Sequence, residues 1–137
     1  MPIHIRPALP ADLDAVLRLW DEAEAELSHT DDVDGLSRLI ERDPGAMLVA
    51  EAGSQIVGSI IAGWDGWRGS IYRLAVHPDH RRRGLAGRLL SEAEMRLADL
   101  GARRLQAIVV ESAPRATGFW RASDWSEQVE RLRFVKG

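Results

Sequence analysis

Chemistry concentrates in the segment Leu74-Ala-Val-His-Pro-Asp-His-Arg-Arg-Arg-Gly-Leu-Ala-Gly-Arg88. A strand-like run ends at His77-Pro78, a short turn follows, and Arg81, Arg82 and Arg83 lead into Gly84 and Gly87 at the mouth of a long helical pattern. The first amides of a helix have no carbonyl partner and sit at the positive end of its dipole. Glycine lets a large anion reach those amides. This is how a phosphate cradle is built. Each charge-assisted hydrogen bond to phosphate contributes about 1.5–3 kcal/mol, so a diphosphate held by several binds firmly. The Gly-Lys-Ser/Thr of a nucleotide triphosphate loop is missing, and the glycine spacing does not fit the dinucleotide fingerprint. Taken alone, the arginine triplet could also be a solvated turn. A nucleic-acid patch is disfavoured by the formal net charge of -3.

The rest of the chain limits what that cradle can serve. With 137 residues and 45% apolar content, residues 1–137 read as one domain with a core of its own. There is no cysteine, which excludes disulfides, thiolate metal sites and a covalent acyl-cysteine. His77 and His80 flank Asp79 without a clear third metal ligand, so no metal site is expected. No stretch approaches the roughly 20 apolar residues of a membrane span, and Met1 to Pro10 lacks a secretory apolar run. A cytoplasmic protein with neither membrane nor nucleic-acid partner is expected.

Elements that would position the cradle follow from apolar periodicity. Ile3 to Arg6 reads as a strand. Pro10 opens a helix in which Leu13, Val16, Leu17, Trp20 and Leu27 share a face. A second helix covers about Val33 to Glu41. Ala46 to Glu51 and Gln55 to Ala62 read as a hairpin turning at Ala52-Gly53-Ser54, and Ser70 to Val76 as the next strand. Gly84 to Leu100 carries the stripe Leu85, Leu89, Ala93, Leu97 and Leu100, stopped by Gly101. Arg104 to Val110 suits a buried strand, Arg115 to Ala122 a short helix and Val129 to Val135 a last strand. The fold class is α/β with α+β character: one mixed, mostly antiparallel sheet of about six to seven strands with helices on both faces.

The motif Arg81-Arg-Arg-Gly-Leu-Ala86, preceded by Leu-Ala-Val-His-Pro and followed by a long helix, resembles the Arg/Gln-x-x-Gly-x-Gly/Ala signature of the GNAT acyltransferase superfamily. The order of elements is similar to that family from end to end. The resemblance implies acetyl-CoA as the acyl donor. Backbone amides from Arg82 to Gly87, including those of Gly84, Leu85 and Ala86, would hold its diphosphate. Arg81, Arg82, Arg83 and Arg88 would add side-chain contacts. The main chain of Leu74, Ala75 and Val76 would pair with the pantetheine arm, and an amide there would polarise the thioester carbonyl. The expected reaction is direct acetyl transfer to a primary amine in a ternary complex. The alternative is a non-catalytic acyl-CoA binding or sensing domain.

That alternative arises where the family pattern breaks. Many members carry Asn-x-x-Ala-x-x-Phe-Tyr-x-x-x-Gly-Phe after the fifth strand. This sequence has Ala113, Ala116, Phe119, Trp120, Asp124 and Trp125 at the corresponding named positions. Ala116 and Phe119 would line the pantetheine channel. Trp120 stands where many relatives have the tyrosine proposed to protonate the leaving thiolate; an indole N–H is no acid at neutral pH, so Trp120 reads as a packing residue. Tyr72 is the only tyrosine and a candidate acid. Strict alternation would put it on the face of Leu74 and Val76; a bulge, common here in the family, would break that. A base would assist an amine that is mostly protonated at neutral pH, with Glu111 first, then His77 and Asp65. Glu22, Glu24, Glu26, Asp31, Asp32 and Asp34, with Trp64 and Trp67, would suit a cationic acceptor, or form a solvated acidic face. The short stretch from Trp125 to Gly137 leaves a sheet edge suited to a homodimer.

Overall fold

In the computed structural model, which describes residues 2–23, 29–109 and 114–137, the chain falls into two units, Met1–Ala107 and Ile108–Gly137. The first holds strands β1 (Ile3–Pro7), β2 (Met47–Ala52), β3 (Gln55–Trp64), β4 (Gly69–Val76) and β5 (Leu105–Ala107), with helices α1 (Leu13–Glu22), α2 (Val33–Arg42) and α3 (Leu85–Leu100). The strands lie side by side in chain order. β1 to β4 pair antiparallel, β1 reaching β2 through α1 and α2 and the next two pairs through short turns, whereas β4 and β5 are parallel and need α3 as their crossover.

Each helix is held by the face its sequence makes apolar. On α1 the buried set is Leu13, Val16, Leu19 and Trp20; Leu17 is only partly buried. The carboxylate of Asp32 caps α2 by accepting from Gly35 N at 2.7 Å, and Leu36 and Ile40 point inward. These side chains pack on Met47, Val49, Ile61 and Ala75, which defines one face of the sheet. The opposite face belongs to Leu85, Leu89, Leu90, Ala93 and Leu97 of α3. Close approach there depends on Gly58: a Cβ at that position would stand 3.0 Å from Leu89 Cδ1 and 3.3 Å from Leu85 Cδ2. Leu100, expected in the α3 stripe, is exposed.

Among the described residues the sheet has five strands rather than six to seven. The expected strand from Val129 to Val135 does not form; its apolar residues have no partner strand among the described residues, and an isolated strand leaves its backbone groups unpaired. The fifth strand is three residues long instead of spanning Arg104 to Val110, whose last residue lies outside the described set. The second unit holds α4 (Pro114–Ala122). Its Trp120 ring meets Phe119 and Trp125 edge-on, with centroids 5.5 and 4.8 Å away. Leu27, placed on the first helix from sequence, is outside the described residues.

Candidate functional site

β4 is not a regular strand. Tyr72 pairs with Ile61 and Ala75 with Ser59, so Arg73 and Leu74 together oppose the single residue Ile60. That is a β-bulge. Arg73 accommodates the extra residue with φ of +53°, a left-handed conformation that costs a side-chain-bearing residue about 1–2 kcal/mol. Directly opposed residues share a face, so the bulge puts Tyr72 with Ser59, Ile61 and Ala75 on the α1 side. Val76 pairs with Gly58 and belongs to the α3 side. The strict alternation that would have joined Tyr72 to Val76 is thereby broken, by the bulge that the family resemblance made an open alternative.

The bulge is held from beneath by two residues that sequence reasoning did not connect to the site. Ser59 Oγ donates to the Arg73 carbonyl at 2.9 Å and accepts from Trp20 Nε1 at 2.8 Å. Both side chains are completely buried. An indole N–H can only donate, so the single hydroxyl proton of Ser59 must go to Arg73 O. The available signal was Ser59 as a lone polar residue in the apolar run from Ile56 to Ala62, together with a tryptophan in the apolar stripe of α1.

Among the described residues β5 pairs with Gly69, Ser70 and Ile71 alone, so the backbone of Leu74, Ala75 and Val76 runs on past the end of that ladder. It leads through His77 and the turn Pro78–His80 into the start of α3. There Arg82 has φ of +65° and Gly84 φ of +74°. Arg88 N donates to Gly84 O at 3.1 Å and closes the first helical turn, which leaves the amides of Leu85, Ala86 and Gly87 with no acceptor inside the helix. A Cβ on Gly84 or Gly87 would meet nothing within 4 Å, so the approach to these amides is open. Leu85 turns its side chain into the core and offers only its backbone.

The four arginines divide. Arg81 is turned back onto the chain, donating from Nε to Val76 O at 3.3 Å and from Nη2 to Ala23 O at 3.4 Å. Arg88 Nη2 donates to Ile3 O at 3.2 Å. Arg82 and Arg83 are exposed beside the cradle. The fit to a diphosphate therefore rests on helix-start amides, an open approach and two outward guanidinium groups.

On the α1 side, many acidic residues are already engaged. Asp31 pairs with Arg73 of the bulge, Asp32 caps α2, and Glu22 Oε2 lies 2.5 Å from His77 Nε2. Asp79 N donates to His77 Nδ1 at 3.1 Å, so in the neutral ring the proton sits on Nε2, facing Glu22. Asp65 accepts from Trp67 N and Arg68 N at 2.8 and 2.7 Å. Those amides, Arg68's first, hold its carboxyl below the ordinary range and make it a weak base. Tyr72 is 54% exposed and lines an open cleft of about 200 Å³ with Gly63, Trp64, Asp65, Arg68 and Ser70. Trp67 is stacked under Arg68, whose guanidinium carbon is 4.1 Å from the ring centroid. Glu111, Glu24 and Glu26 lie outside the described residues. Ala116, Phe119 and Trp120 all lie on α4 in the second unit. Among the described residues no three His, Cys, Asp or Glu side chains converge as metal ligands, and no helix is long and apolar enough to cross a membrane.

Comparison with known proteins agrees with this geometry. The acetyltransferase (GNAT) family model matches residues 13–124. An acetyltransferase of Yersinia enterocolitica is 36% identical over 126 residues, covering 92% of this chain and 89% of that protein. The fold is similar to that of the PaiA N-acetyltransferase of Thermoplasma acidophilum, solved in complex with coenzyme A, with a TM-score of 0.79, 20% identity and coverage of 89% and 88%. It is also similar to an aminoglycoside 6'-N-acetyltransferase of Acinetobacter haemolyticus, with a TM-score of 0.78, 20% identity and 98% coverage of both chains. With its glycine-opened helix start, its bulged fourth strand and a family match running through both, the chain belongs to the GNAT family and is an acetyl-CoA-dependent N-acyltransferase.

Proposed function

We propose that the chain transfers an acetyl group from acetyl-CoA to a primary amine by direct attack, with residues 1–137 acting as one catalytic domain. The observation that carries this reading is the run of β4 past the last β5 pair, ending at the open start of α3. The amides of Arg82 to Gly87 take the diphosphate. Arg82 and Arg83 add charge to it, while Arg81 and Arg88 shape the loop from behind. The backbone of Leu74, Ala75 and Val76 pairs with the pantetheine arm as an added strand would. By the family motif, Ala116 and Phe119 contribute to pantetheine binding and Trp120 is a packing residue.

In the transfer, the amine nitrogen attacks the acetyl carbonyl carbon, a C–N bond forms and the C–S bond breaks. The Leu74 amide stabilises the negative charge that develops on the carbonyl oxygen. Coenzyme A leaves as a thiolate, a fair leaving group with a thiol pKa near ~8.5. The amine must arrive uncharged or lose its proton first. His77 and Asp65 are engaged elsewhere, which favours Glu111 as base, directly or through water. Tyr72, exposed next to the bulge, is the side chain we assign to returning a proton to the thiolate. The amine enters beside the cleft of Tyr72 and Asp65, where a carboxylate and the Trp64 ring favour a cationic acceptor.

Calorimetric titration with acetyl-CoA tests this reading, with Gly84→Glu as the control. That substitution puts a negative charge and a side chain at φ of +74° into the cradle. Micromolar binding weakened at least about 100-fold in the variant is expected, the loss of several charge-assisted contacts. A folded wild-type protein that binds neither acetyl-CoA nor CoA would overturn it. A panel of amines of different charge then identifies the acceptor class, and turnover confined to neutral or anionic acceptors would sink the cationic assignment.

A further inference from the structure

The geometry points to Ser59 and Trp20 as positioning residues for the thioester-polarising amide, acting through the buried chain Trp20 Nε1–H to Ser59 Oγ–H to Arg73 O. This rests on the reading that the Leu74 amide is that donor. Arg73 O and Leu74 N belong to the same peptide unit. In a trans peptide the carbonyl and the following N–H point in opposite directions within one plane, and the chain contains no cis peptide among the described residues. Whatever fixes the direction of the Arg73 carbonyl therefore fixes the direction of the Leu74 N–H.

That direction is not set by the sheet. The β3–β4 register breaks between Ser59 and Ile61, so the peptide between Arg73 and Leu74 lies outside the regular ladder. It is set by Ser59, whose hydroxyl reaches Arg73 O at 2.9 Å from the α1 face of β3. The Leu74 N–H consequently points away from Ser59. Among the described residues β4 has no β5 partner beyond Ile71 in its ladder to take up that amide. Trp20 removes the remaining freedom. By occupying the Ser59 oxygen as acceptor at 2.8 Å, its indole N–H leaves the hydroxyl proton one partner. Complete burial of both side chains keeps water from competing for the indole N–H and the hydroxyl. A preorganised donor needs this kind of support, because an amide that must reorient when charge develops loses much of its stabilising effect.

The Arg73 side chain ties the same bulge to the segment before α2. It pairs with Asp31, and its guanidinium carbon lies 5.5 Å from the Trp20 ring centroid. Ion pair and neutral chain converge on one residue, and it is the neutral chain that reaches the carbonyl of the peptide carrying the amide.

The test reads the carbonyl directly and needs no acceptor. Acetyl-CoA carrying ¹³C at the thioester carbonyl is bound to the enzyme, and the carbonyl band is isolated by isotope-edited infrared difference spectroscopy. Bound to the wild type, the band should lie at lower wavenumber than in free acetyl-CoA. Ser59→Thr keeps the hydroxyl and should keep that shift. Ser59→Val has nearly the same shape without the hydroxyl and should lose most of it, as should Ser59→Ala, while CoA affinity stays within about twofold because the cradle amides are untouched. If substitutions at Ser59 do not yield folded protein, Trp20→Phe keeps the serine and removes its fixed donor; a broadened, partly restored band is then expected. A shift retained in full by the variants lacking the hydroxyl, or by Trp20→Phe where only that variant folds, overturns the inference and leaves the coenzyme site standing. An unshifted band in a wild type that binds acetyl-CoA overturns the amide's role and the inference with it. Absence of acetyl-CoA binding overturns the function on which both rest.

Discussion

Two polar clusters tie strands of the sheet to their surroundings, and they are built on opposite principles. Under β4, Trp20 and Ser59 form a neutral, fully buried chain to one backbone carbonyl. On β1, Arg6 reaches Asp12 with Nη1 and Nη2 at 2.8 and 3.0 Å and Glu51 with Nε at 3.3 Å, all three side chains partly open to solvent. A neutral chain in the interior holds its geometry regardless of pH and salt, but is costly to break because its groups have no water to turn to. An open ionic clamp adds modest stability that depends on both. The chain that aims a backbone amide is of the first kind, and the clamp on β1 is of the second.

The sharpest way to break this contrast is Trp20→Phe. It removes one buried donor and part of a large ring, and about 2–3 kcal/mol of stability should be lost. Urea unfolding should give the same loss at pH 5 and pH 8, and with or without 0.5 M NaCl at roughly that magnitude, since no ionised group is removed. A loss that varied with salt would mean that the pair of Arg73 with Asp31, not the neutral chain, carries the contribution of Trp20. A smaller effect is expected from Arg6→Met, about 1 kcal/mol at low ionic strength and fading towards zero in high salt. A salt-independent loss there would mean that the packing of the Arg6 stem, rather than its charge, matters.

The helix start on which the proposed cradle rests was legible in the sequence because its signals are local. Proline, three arginines and two glycines at a helix start can be read from neighbours in the chain, and the arginines' positions follow from them. The hairpin of β2 and β3 and the stripe of α3 were legible for the same reason: periodicity and turn residues sit side by side. What was not legible depends on contacts between distant residues. Ser59 and Trp20 are separated by 39 positions, and nothing in either neighbourhood indicates that they meet under Arg73. The facing of Tyr72 hinged on a bulge whose presence is decided by pairing with β3. Arg81 and Arg88 look alike in a basic motif, yet each turns to a carbonyl of another element. The segment Val129 to Val135 has apolar residues enough for a strand, but strand formation is a property of pairs, and pattern alone supplies no partner.

Asp12→Asn sharpens the contrast at its smallest scale, through pH. The side-chain bonds from Arg6 come first, with Leu9 N also donating at 2.7 Å, and together they hold the Asp12 carboxyl below its ordinary value of 3.8. A carboxylate whose pKa is depressed by folding binds its proton more readily in the unfolded chain. Its contribution is therefore fully present above the unfolded value and is lost as pH falls through the lower, folded one. The variant should be less stable than wild type at pH 7 by about 0.5–1 kcal/mol, the scale of a partly solvated ion pair. The gap should narrow as pH falls below the ordinary value of 3.8 and close once pH is below the depressed, folded value. Paired urea titrations at pH 7, 5 and 3 would show this. A gap that stayed constant down to pH 3 would assign the effect of Asp12 to the shape of the turn from Leu9 to Asp12, which asparagine would have failed to reproduce, and would remove the pH-sensitive member of the comparison.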